Sequence, residues 1–186
     1  MKKLNNYITE RLKLTSKTYN YTCQPKDRNE LREILKERLA ADKDANLNDI
    51  DVSKITDMSA VAGNNLGLFE LLDPHNIKIN EWDVSNVTDM YALFYECKNL
   101  DCDLSNWNVS NVTNMNYMFA YCKNFTGTGL ENWDVSNVKY FDFTFARCNK
   151  FDCDLSNWNV NKAIKTKTMF YACDSLKNIP SWLNND

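Results

Sequence analysis

Apolar and polar residues follow the same order in a sixteen-residue sequence motif that occurs four times in this chain. We call this motif the phrase. The copies read WDVSNVTDMYALFYEC from Trp82, WNVSNVTNMNYMFAYC from Trp107, WDVSNVKYFDFTFARC from Trp133 and WNVNKAIKTKTMFYAC from Trp158. An earlier segment, IDVSKITDMSAV from Ile50, follows the same template, and Trp182 begins a short stub. A fixed period of roughly 20 to 50 residues is typical of solenoids, in which each repeat buries its apolar face against its neighbours.

Within each copy the apolar residues stand at about every third position. The phenylalanine column contains Phe94, Phe119, Phe145 and Phe170, and the cysteine column contains Cys97, Cys122, Cys148 and Cys173. Such spacing indicates a chain that keeps turning corners, since a flat strand repeats at two and a long helix at about 3.6. Stacked copies should therefore bring like side chains together along one axis.

Three local elements are predicted in each copy. Before the tryptophan the apolar spacing falls to two, as at Cys102 and Leu104, which predicts a short strand. The polar WDVSN segment predicts a bend whose Asp, Ser and Asn side chains bond to the backbone and form ladders between copies. The segment MYALFYEC predicts one or two helical turns. We therefore expect an α/β repeat fold, a solenoid of about five coils with a short parallel sheet.

The period divides the chain into two regions. Residues 45–186 form the predicted repeat domain, with coils starting near 50, 82, 107, 133 and 158 and a terminal stub at 182. Residues 1–44 form a predicted helical head, with one helix near the start and a second after the D-x-x-E capping box at Asp27. The run LGLFELL in the longer first coil predicts a further helix that ends at Pro74. The head is either a cap on the first coil or a docking module.

The phrases WDVSNVTDM, NMNYMFAYC and CDLSNWNVSNV resemble the BspA-like leucine-rich-repeat family, also described as mycoplasma lipoprotein-type repeats. The resemblance covers about residues 45–182. It implies a leucine-rich-repeat-like solenoid that serves protein binding and surface adhesion rather than catalysis, in a bacterial or phage protein. The chain departs from the usual pattern because it shows neither a secretion leader nor an anchor.

Composition narrows the functional classes. Hydrophobic residues make up 44% of the chain and the formal net charge is −3, so a packed core is expected and a general nucleic-acid surface is not. The N-terminus lacks the apolar core of a signal peptide, and no apolar run approaches the roughly 18 residues that cross a bilayer. We expect no membrane insertion and favour a cytoplasmic or virion-associated location over secretion.

The cysteines admit three interpretations. Seven are present, and the cysteine column predicts buried, inert thiols. Neighbouring members of the column would lie close enough for disulfides, and the pairs Cys97/Cys102 and Cys148/Cys153 have a spacing that zinc sites use. Those two alternatives stay open beside the structural one.

Other candidate chemistry is sparse. The two DCD sequences, at 101–103 and 152–154, predict either solvated surface or a calcium site, although Gly127 and Gly129 interrupt any acidic ladder. The single histidine, His75, lies in an insertion with no serine or cysteine tied to it by spacing. We therefore expect no enzyme activity, no cofactor and no metal.

Aromatic residues supply the candidate binding surface. The predicted partner-binding residues are Tyr91, Tyr95, Tyr117, Tyr121, Tyr171, Trp82, Trp107, Trp133 and Trp158. The tryptophans are alternatively a half-buried structural ladder. The leading hypothesis is a non-catalytic module that binds another protein. A structural component of a larger assembly such as a virion, docked through residues 1–44, and an adhesin-type surface protein are the alternatives.

Overall fold

The computed structural model describes residues 20–60, 68, 69, 72 and 74–185. Two helices lie within this part of the chain: the α-helix α1, Arg28–Ala41, and the 3-10 helix η1, Ser181–Asn185. The remaining described backbone consists of turns, bends, extended segments and isolated bridges. Most of the hydrogen bonding in the repeats therefore comes from turns and from contacts between neighbouring repeats.

Helix α1 confirms the helix predicted after the capping box. Asp27 is the N-cap, and its side chain accepts hydrogen bonds from the backbone N–H groups of Asn29 and Glu30. One face of the helix, carrying Leu31, Leu35 and Leu39, is fully buried. These leucines belong to the same hydrophobic cluster as the repeats, so α1 and the repeats share one core. The other predicted helix of the head lies outside the described residues.

The predicted parallel sheet, and with it the α/β leucine-rich-repeat-like solenoid, is wrong. The described residues contain no strand of consecutive paired residues, only single parallel bridges. Four of these join successive repeats: Asp57 to Asp89, Asp89 to Asn114, Asn114 to Tyr140, and Tyr140 to Lys165. In the repeats that begin with tryptophan, the bridged residue follows that tryptophan by seven positions, whereas the strand was predicted before it.

Local turns explain why the predicted strand does not form. The backbone N–H of Trp107 donates to the carbonyl of Leu104, and Asp103 accepts from the N–H of Ser105. The same Leu104 carbonyl also accepts from the indole of Trp133 in the next repeat. Polar backbone groups that would pair in a sheet are thus satisfied by turns and by tryptophan side chains.

The predicted helical turns do not form. In their place lies a segment whose backbone N–H groups donate alternately to the next repeat and to its own turn. In residues 115–122, the N–H groups of Met115, Tyr117, Phe119 and Tyr121 donate to carbonyls of the following repeat, at 2.7–2.9 Å. The N–H groups of Met118, Ala120 and Cys122 donate to the carbonyl three positions back, and that of Asn116 donates to the side chain of Asn114. Tyr117 and Tyr121 have positive φ angles of 57° and 65°, which an α-helix does not contain.

Like side chains do meet across repeats, as predicted. Phe119 stacks between Phe94 and Phe145, with ring centroids 5.4 and 5.6 Å apart. The valines Val84, Val109 and Val135 are buried as well. A single repeat could not bury these residues by itself, so each copy supplies part of the core of its neighbours.

The insertion in the first repeat contributes a member to the phenylalanine ladder. Phe69 is fully buried, and its ring stacks on that of Phe94 with the centroids 5.0 Å apart. Its N–H donates to the carbonyl of Leu93 in the next repeat. Phe69 thus occupies the phenylalanine position of the first repeat. The helix predicted for LGLFELL falls largely outside the described residues.

The polar bends form the predicted turns and ladder. Asp83 accepts a hydrogen bond from the N–H of Ser85, and Asn108 accepts one from Ser110 in the next repeat. The side-chain amide of Asn111 then donates to the carbonyl of Ser85 at 2.7 Å. Asn86 and Asn137 make equivalent bonds to their preceding repeats. The conserved spacing of the phrase therefore orders the polar edge of the stack as well as its core.

Candidate functional site

The tryptophan column is interior structure. Trp82, Trp107, Trp133 and Trp158 have exposed fractions of only 3–5%. The rings of Trp107 and Trp133 are stacked with centroids 6.3 Å apart and nearly parallel planes. Each indole N–H donates to a carbonyl of the preceding repeat, as that of Trp107 does to Ile79 at 2.9 Å. The sequence-predicted tryptophans consequently do not belong to a contact surface.

The predicted tyrosines are brought together on the outside of the stack. Some stand nine or ten positions after the tryptophan, between the methionine and phenylalanine columns, and the others stand thirteen or fourteen positions after it, between the phenylalanine and cysteine columns. We call the resulting surface the aromatic strip, which consists of Tyr91, Tyr95, Tyr117, Tyr121, Phe143, Arg147 and Tyr171. Tyr171 is 56% exposed, whereas Tyr117 in the middle is half-buried.

The rings of the aromatic strip contact one another across repeats. Tyr117 lies edge-on to Tyr91, with centroids 5.9 Å apart, and stacks on Phe143 at 5.3 Å. Tyr95 lies edge-on to Tyr121 at 5.6 Å. Such arrangements are the favoured geometries of aromatic pairs. The strip is thus a connected surface whose rings restrict one another before any partner arrives.

Three neighbouring cavities open along the strip. The first, of about 170 Å³, is lined by Tyr91, Ala92, Tyr95 and Tyr117. The second, of about 240 Å³, is lined by residues that include Tyr117, Tyr121, Phe143, Arg147 and Tyr171. The third, of about 460 Å³, lies beside Arg147 and carries the more polar residues Lys123, Asn149 and Asp174. The strip therefore grades from aromatic at the Tyr91 end to charged at the Asp174 end.

Charges differ along the strip. The guanidinium of Arg147 lies over the ring of Tyr121, 5.6 Å from its centroid. Burial raises the pKa of the Tyr117 hydroxyl, and the negative charges of Tyr91, when ionised, and Asp142 raise it further. The positive charge of Arg147 thus lies against Tyr121, whereas Tyr117 lies near the carboxylate of Asp142.

In a comparison with protein families, the chain matches the family described as "Mycoplasma protein of unknown function, DUF285" over residues 29–126 and again over 64–182. The chain belongs to the DUF285 family. The resemblance drawn from the repeated phrase is confirmed at this level, while the narrower BspA-like leucine-rich-repeat assignment stays a prediction. No curated protein and no solved structure matches the chain.

Two residues of this DUF285 surface were missed by reasoning from the sequence, which selected tyrosines and tryptophans alone. Phe143 stands ten positions after its tryptophan, as Tyr117 does, and Arg147 stands fourteen positions after it, as Tyr121 does. Alignment of the repeats by column, rather than by residue type, would have included both. Column position is therefore the better signal for this surface.

Three members of the cysteine column, Cys97, Cys122 and Cys148, are buried, and Cys173 is half-buried. All seven cysteines are free. The thiols of Cys122 and Cys148 each donate to a phenylalanine carbonyl of the preceding repeat at 2.9 Å. Burial raises the pKa of both thiols well above the usual range, and of Cys173 to about 11. Raised pKa values and burial make these thiols poor nucleophiles.

The acidic pairs are used in hydrogen bonds between and within repeats. Asp101 accepts from the hydroxyl of Thr126 in the next repeat, and Asp152 accepts from the backbone N–H of Lys177. Asp154 accepts from Ser156. In the part of the chain that the structure describes, no group of three or more His, Cys, Asp or Glu side chains is arranged to hold a metal ion.

His75 lies at the edge of the stack, half-buried. Its N–H donates to the carbonyl of Lys43, and its own carbonyl accepts from Asp101. Its backbone therefore ties the head region to the second repeat. Among the described residues, no helix is both long enough and apolar enough to span a bilayer.

Proposed function

We propose that this chain is a non-catalytic module that binds another protein through the aromatic strip. The observation that carries the proposal is the clustering of partly exposed tyrosines, Phe143 and Arg147 on one side of a stacked core. Tyrosine and arginine are enriched among residues that dominate binding energy at interfaces. The three cavities offer places for side chains of a partner.

Preorganisation supports the same proposal. The rings of the strip already contact each other, and the backbone of residues 116–121 is bonded to both neighbouring repeats. A partner would therefore lose less affinity to the ordering of loops and side chains. A narrower form of the same proposal is that the chain is a BspA-like repeat protein, since the resemblance to that family implies protein binding and adhesion.

A site-specific photo-crosslinker tests the proposal in the full-length chain. Benzoylphenylalanine replaces Tyr121 in the strip, Tyr140 as an exposed tyrosine outside it, or Tyr7 in the head. After irradiation in an extract of the native host, we expect one defined protein to be crosslinked from position 121 and not from position 140.

The head position separates the proposal from its alternative. Crosslinking of a partner from position 7 alone would favour docking of an assembly component through residues 1–44 and would contradict the role of the strip. With the crosslinker placed away from the substituted position, Tyr121→Ser should abolish capture of the partner. Tyr140→Ser should leave the capture unchanged. Loss of capture in both variants would mean that the strip is not the contact surface.

A further inference from the structure

Neighbouring repeats are joined by the same two backbone hydrogen bonds at the phenylalanine column. The N–H of Phe145 donates to the carbonyl of Met169 at 2.9 Å, and the N–H of Arg147 donates to that of Tyr171 at 2.8 Å. These donors stand twelve and fourteen positions after the tryptophan of their repeat. The two preceding repeats bind the repeats that follow them through the same two positions. This pair of bonds is therefore a recurring interface of the stack.

The repeat that begins at Trp158 presents the same two donors without acceptors. They are the N–H groups of Phe170 and Ala172. Within the described part of the chain, no backbone carbonyl accepts a hydrogen bond from either group. Ala172 nevertheless has a φ of 56°, close to the 59° of Arg147, so its backbone already has the conformation that the paired repeats use. We call these two N–H groups, together with the Phe170 ring, the open edge.

Apolar side chains at the open edge are less buried than their counterparts inside the stack. Phe119 and Phe145 are fully buried, because each stacks between two phenylalanines. Phe170 stacks on Phe145 by one face and is only partly buried. Cys173 and Leu176 are also half-buried, although their counterparts one repeat earlier are fully buried. The open edge thus combines unpaired donors with an apolar surface.

Part of the layer that would cover the open edge is already in place. The indole N–H of Trp182 donates to the carbonyl of Leu155 at 3.0 Å, as the earlier tryptophans donate to their preceding repeats. The Trp182 ring lies 6.2 Å from that of Phe170, which matches the 6.1 Å between Trp158 and Phe145. Among the described residues, this layer lacks the next phenylalanine and its two flanking carbonyls. An incoming aromatic ring that stacks on Phe170 would complete it.

The polarity of the open edge decides which chain can cover it. A second copy that approached with its own open edge would place N–H groups against N–H groups, which cannot bond to each other. The opposite end of the stack is covered by helix α1, whose leucine face belongs to the common core. An extended segment of another protein, in contrast, can offer two carbonyls two residues apart, as Met169 and Tyr171 do for the repeat before them.

We propose that the open edge binds an extended segment of another protein, in which an aromatic residue stands between two residues whose carbonyls accept from Phe170 and Ala172. The aromatic ring stacks on Phe170, so the segment takes the place that residues 144–146 take on the repeat of Trp107. Main-chain bonds then supply affinity, and the aromatic position supplies specificity. This contact lies at the end of the stack and does not rest on the function proposed for the aromatic strip.

A peptide with the sequence of residues 140–148, YFDFTFARC, is the probe, since this segment pairs with Phe119 and Tyr121 in the chain itself. It is titrated into the full-length protein while hydrogen exchange of single amides is followed by NMR. With the peptide at about 100 times its Kd, exchange of the Phe170 and Ala172 amides should slow roughly 100-fold, because only about 1% of the protein remains unbound. Binding without this protection, or no saturable binding, would overturn the proposal.

The free chain is measured first, at two protein concentrations. The amides of Phe170 and Ala172 should exchange much faster than those of Phe145 and Arg147, which are bonded to the following repeat. Protection that is already present and independent of concentration would mean that the chain covers its own edge. Protection that grows with concentration would mean that a second copy covers it. Either result would contradict a site for another protein.

Substitutions on both sides of the contact test the aromatic position. In the peptide, Phe145→Ala should weaken binding at least roughly 10-fold, because the ring that stacks on the open edge is lost. In the protein, Phe170→Ala should have a similar effect. Tyr21→Ala, which removes an exposed ring at the first repeat, should leave binding unchanged. Equal binding of the native and Phe145→Ala peptides would contradict the aromatic position.

The two proposed contacts fail separately. The peptide titration uses the Phe170 and Ala172 amides as its readout, whereas the crosslinking experiment uses position 121 and an extract of the host. Loss of crosslinking from position 121 would therefore count against the aromatic strip alone. Unprotected amides at the open edge would count against the further contact alone.

Discussion

Removal of the central ring of the phenylalanine ladder should destabilise the whole stack. Phe119 is fully buried, and its ring lies 4.4 Å from that of Phe125, besides its contacts with Phe94 and Phe145 in the neighbouring repeats. The variant Phe119→Ala leaves a cavity that three repeats border. Buried Phe→Ala changes cost about 3–5 kcal/mol, because transfer and cavity terms add.

The end of the same ladder provides the matched control. Phe170 stacks on Phe145 at 5.6 Å, but it is only partly buried and has no phenylalanine on its outer side, where Trp182 covers it. Phe170→Ala should therefore cost about 1 kcal/mol, below the roughly 1.5–3 kcal/mol of a fully buried large side chain. The difference in unfolding free energy between the two variants measures what packing against a second neighbouring repeat contributes.

Urea unfolding followed by tryptophan fluorescence measures both variants. Typical domains have about 5–15 kcal/mol of stability, so Phe119→Ala should lower the midpoint strongly, with a slope equal to that of the native chain. Phe119→Leu, which keeps most of the volume, supplies the comparison if the alanine variant does not fold. Equal losses for Phe119→Ala and Phe170→Ala would refute the idea that each repeat is packed from both sides.

Three further substitutions probe the polar edge and one tight turn. Asn111→Ala removes the hydrogen bond to Ser85 of the preceding repeat and should lower the free energy of unfolding in urea by about 1 kcal/mol. An unchanged free energy of unfolding would show that the asparagine ladder does not stabilise the stack. Gly127→Ala should cost more than about 1–2 kcal/mol, because φ is +88° and a Cβ would lie 2.5 Å from the Phe151 ring; an unchanged melting temperature would contradict the observed turn. The hydrogen bonds of Ser136 lower the pKa of Asp134 below its usual 3.8, so its contribution to stability is present above about pH 4 and is lost as pH falls through the lower, folded-state pKa. Asp134→Asn should keep the turn, since asparagine makes it in two other repeats, and should reduce the acid dependence of unfolding; an unchanged pH profile would argue against this assignment.

The stacking was predictable because the period of the sequence is independent of local conformation. Once the phrase WDVSN returns every 25 or 26 residues, the valines and phenylalanines can be buried only by meeting their equivalents. Helix α1 was equally accessible, because Asp27, Glu30 and the leucine spacing are local signals. Both predictions used information that the sequence carries directly.

The local backbone was not predictable by the same rules. The segment around Phe119 contains apolar residues at helical spacing, yet alternate N–H groups bond to the next repeat and Tyr117 adopts a left-handed conformation. Bulky residues avoid that conformation in isolation. Hydrogen bonds between repeats outweigh this preference here, and no single-copy pattern reports them.

The candidate surface was half predictable for a related reason. Tyrosine and tryptophan have similar propensities for interfaces, but the indole N–H of Trp107 satisfies a carbonyl in the interior, whereas Tyr117 stands on the outward side of the alternating segment. Residue type alone cannot tell the buried tryptophans from the outward-facing tyrosines. Position within the repeat separates them once the buried columns are known.

The register of the backbone hydrogen bonds tests the central claim, that repeats stack by bonding alternate amides across copies. Scalar couplings through hydrogen bonds, measured by NMR on deuterated protein, identify each donor and acceptor. The structure predicts couplings from the amide nitrogens of Tyr117, Phe119 and Tyr121 to the carbonyl carbons of Asp142, Thr144 and Ala146. Couplings to carbonyls four residues back, as in a helix, would contradict it.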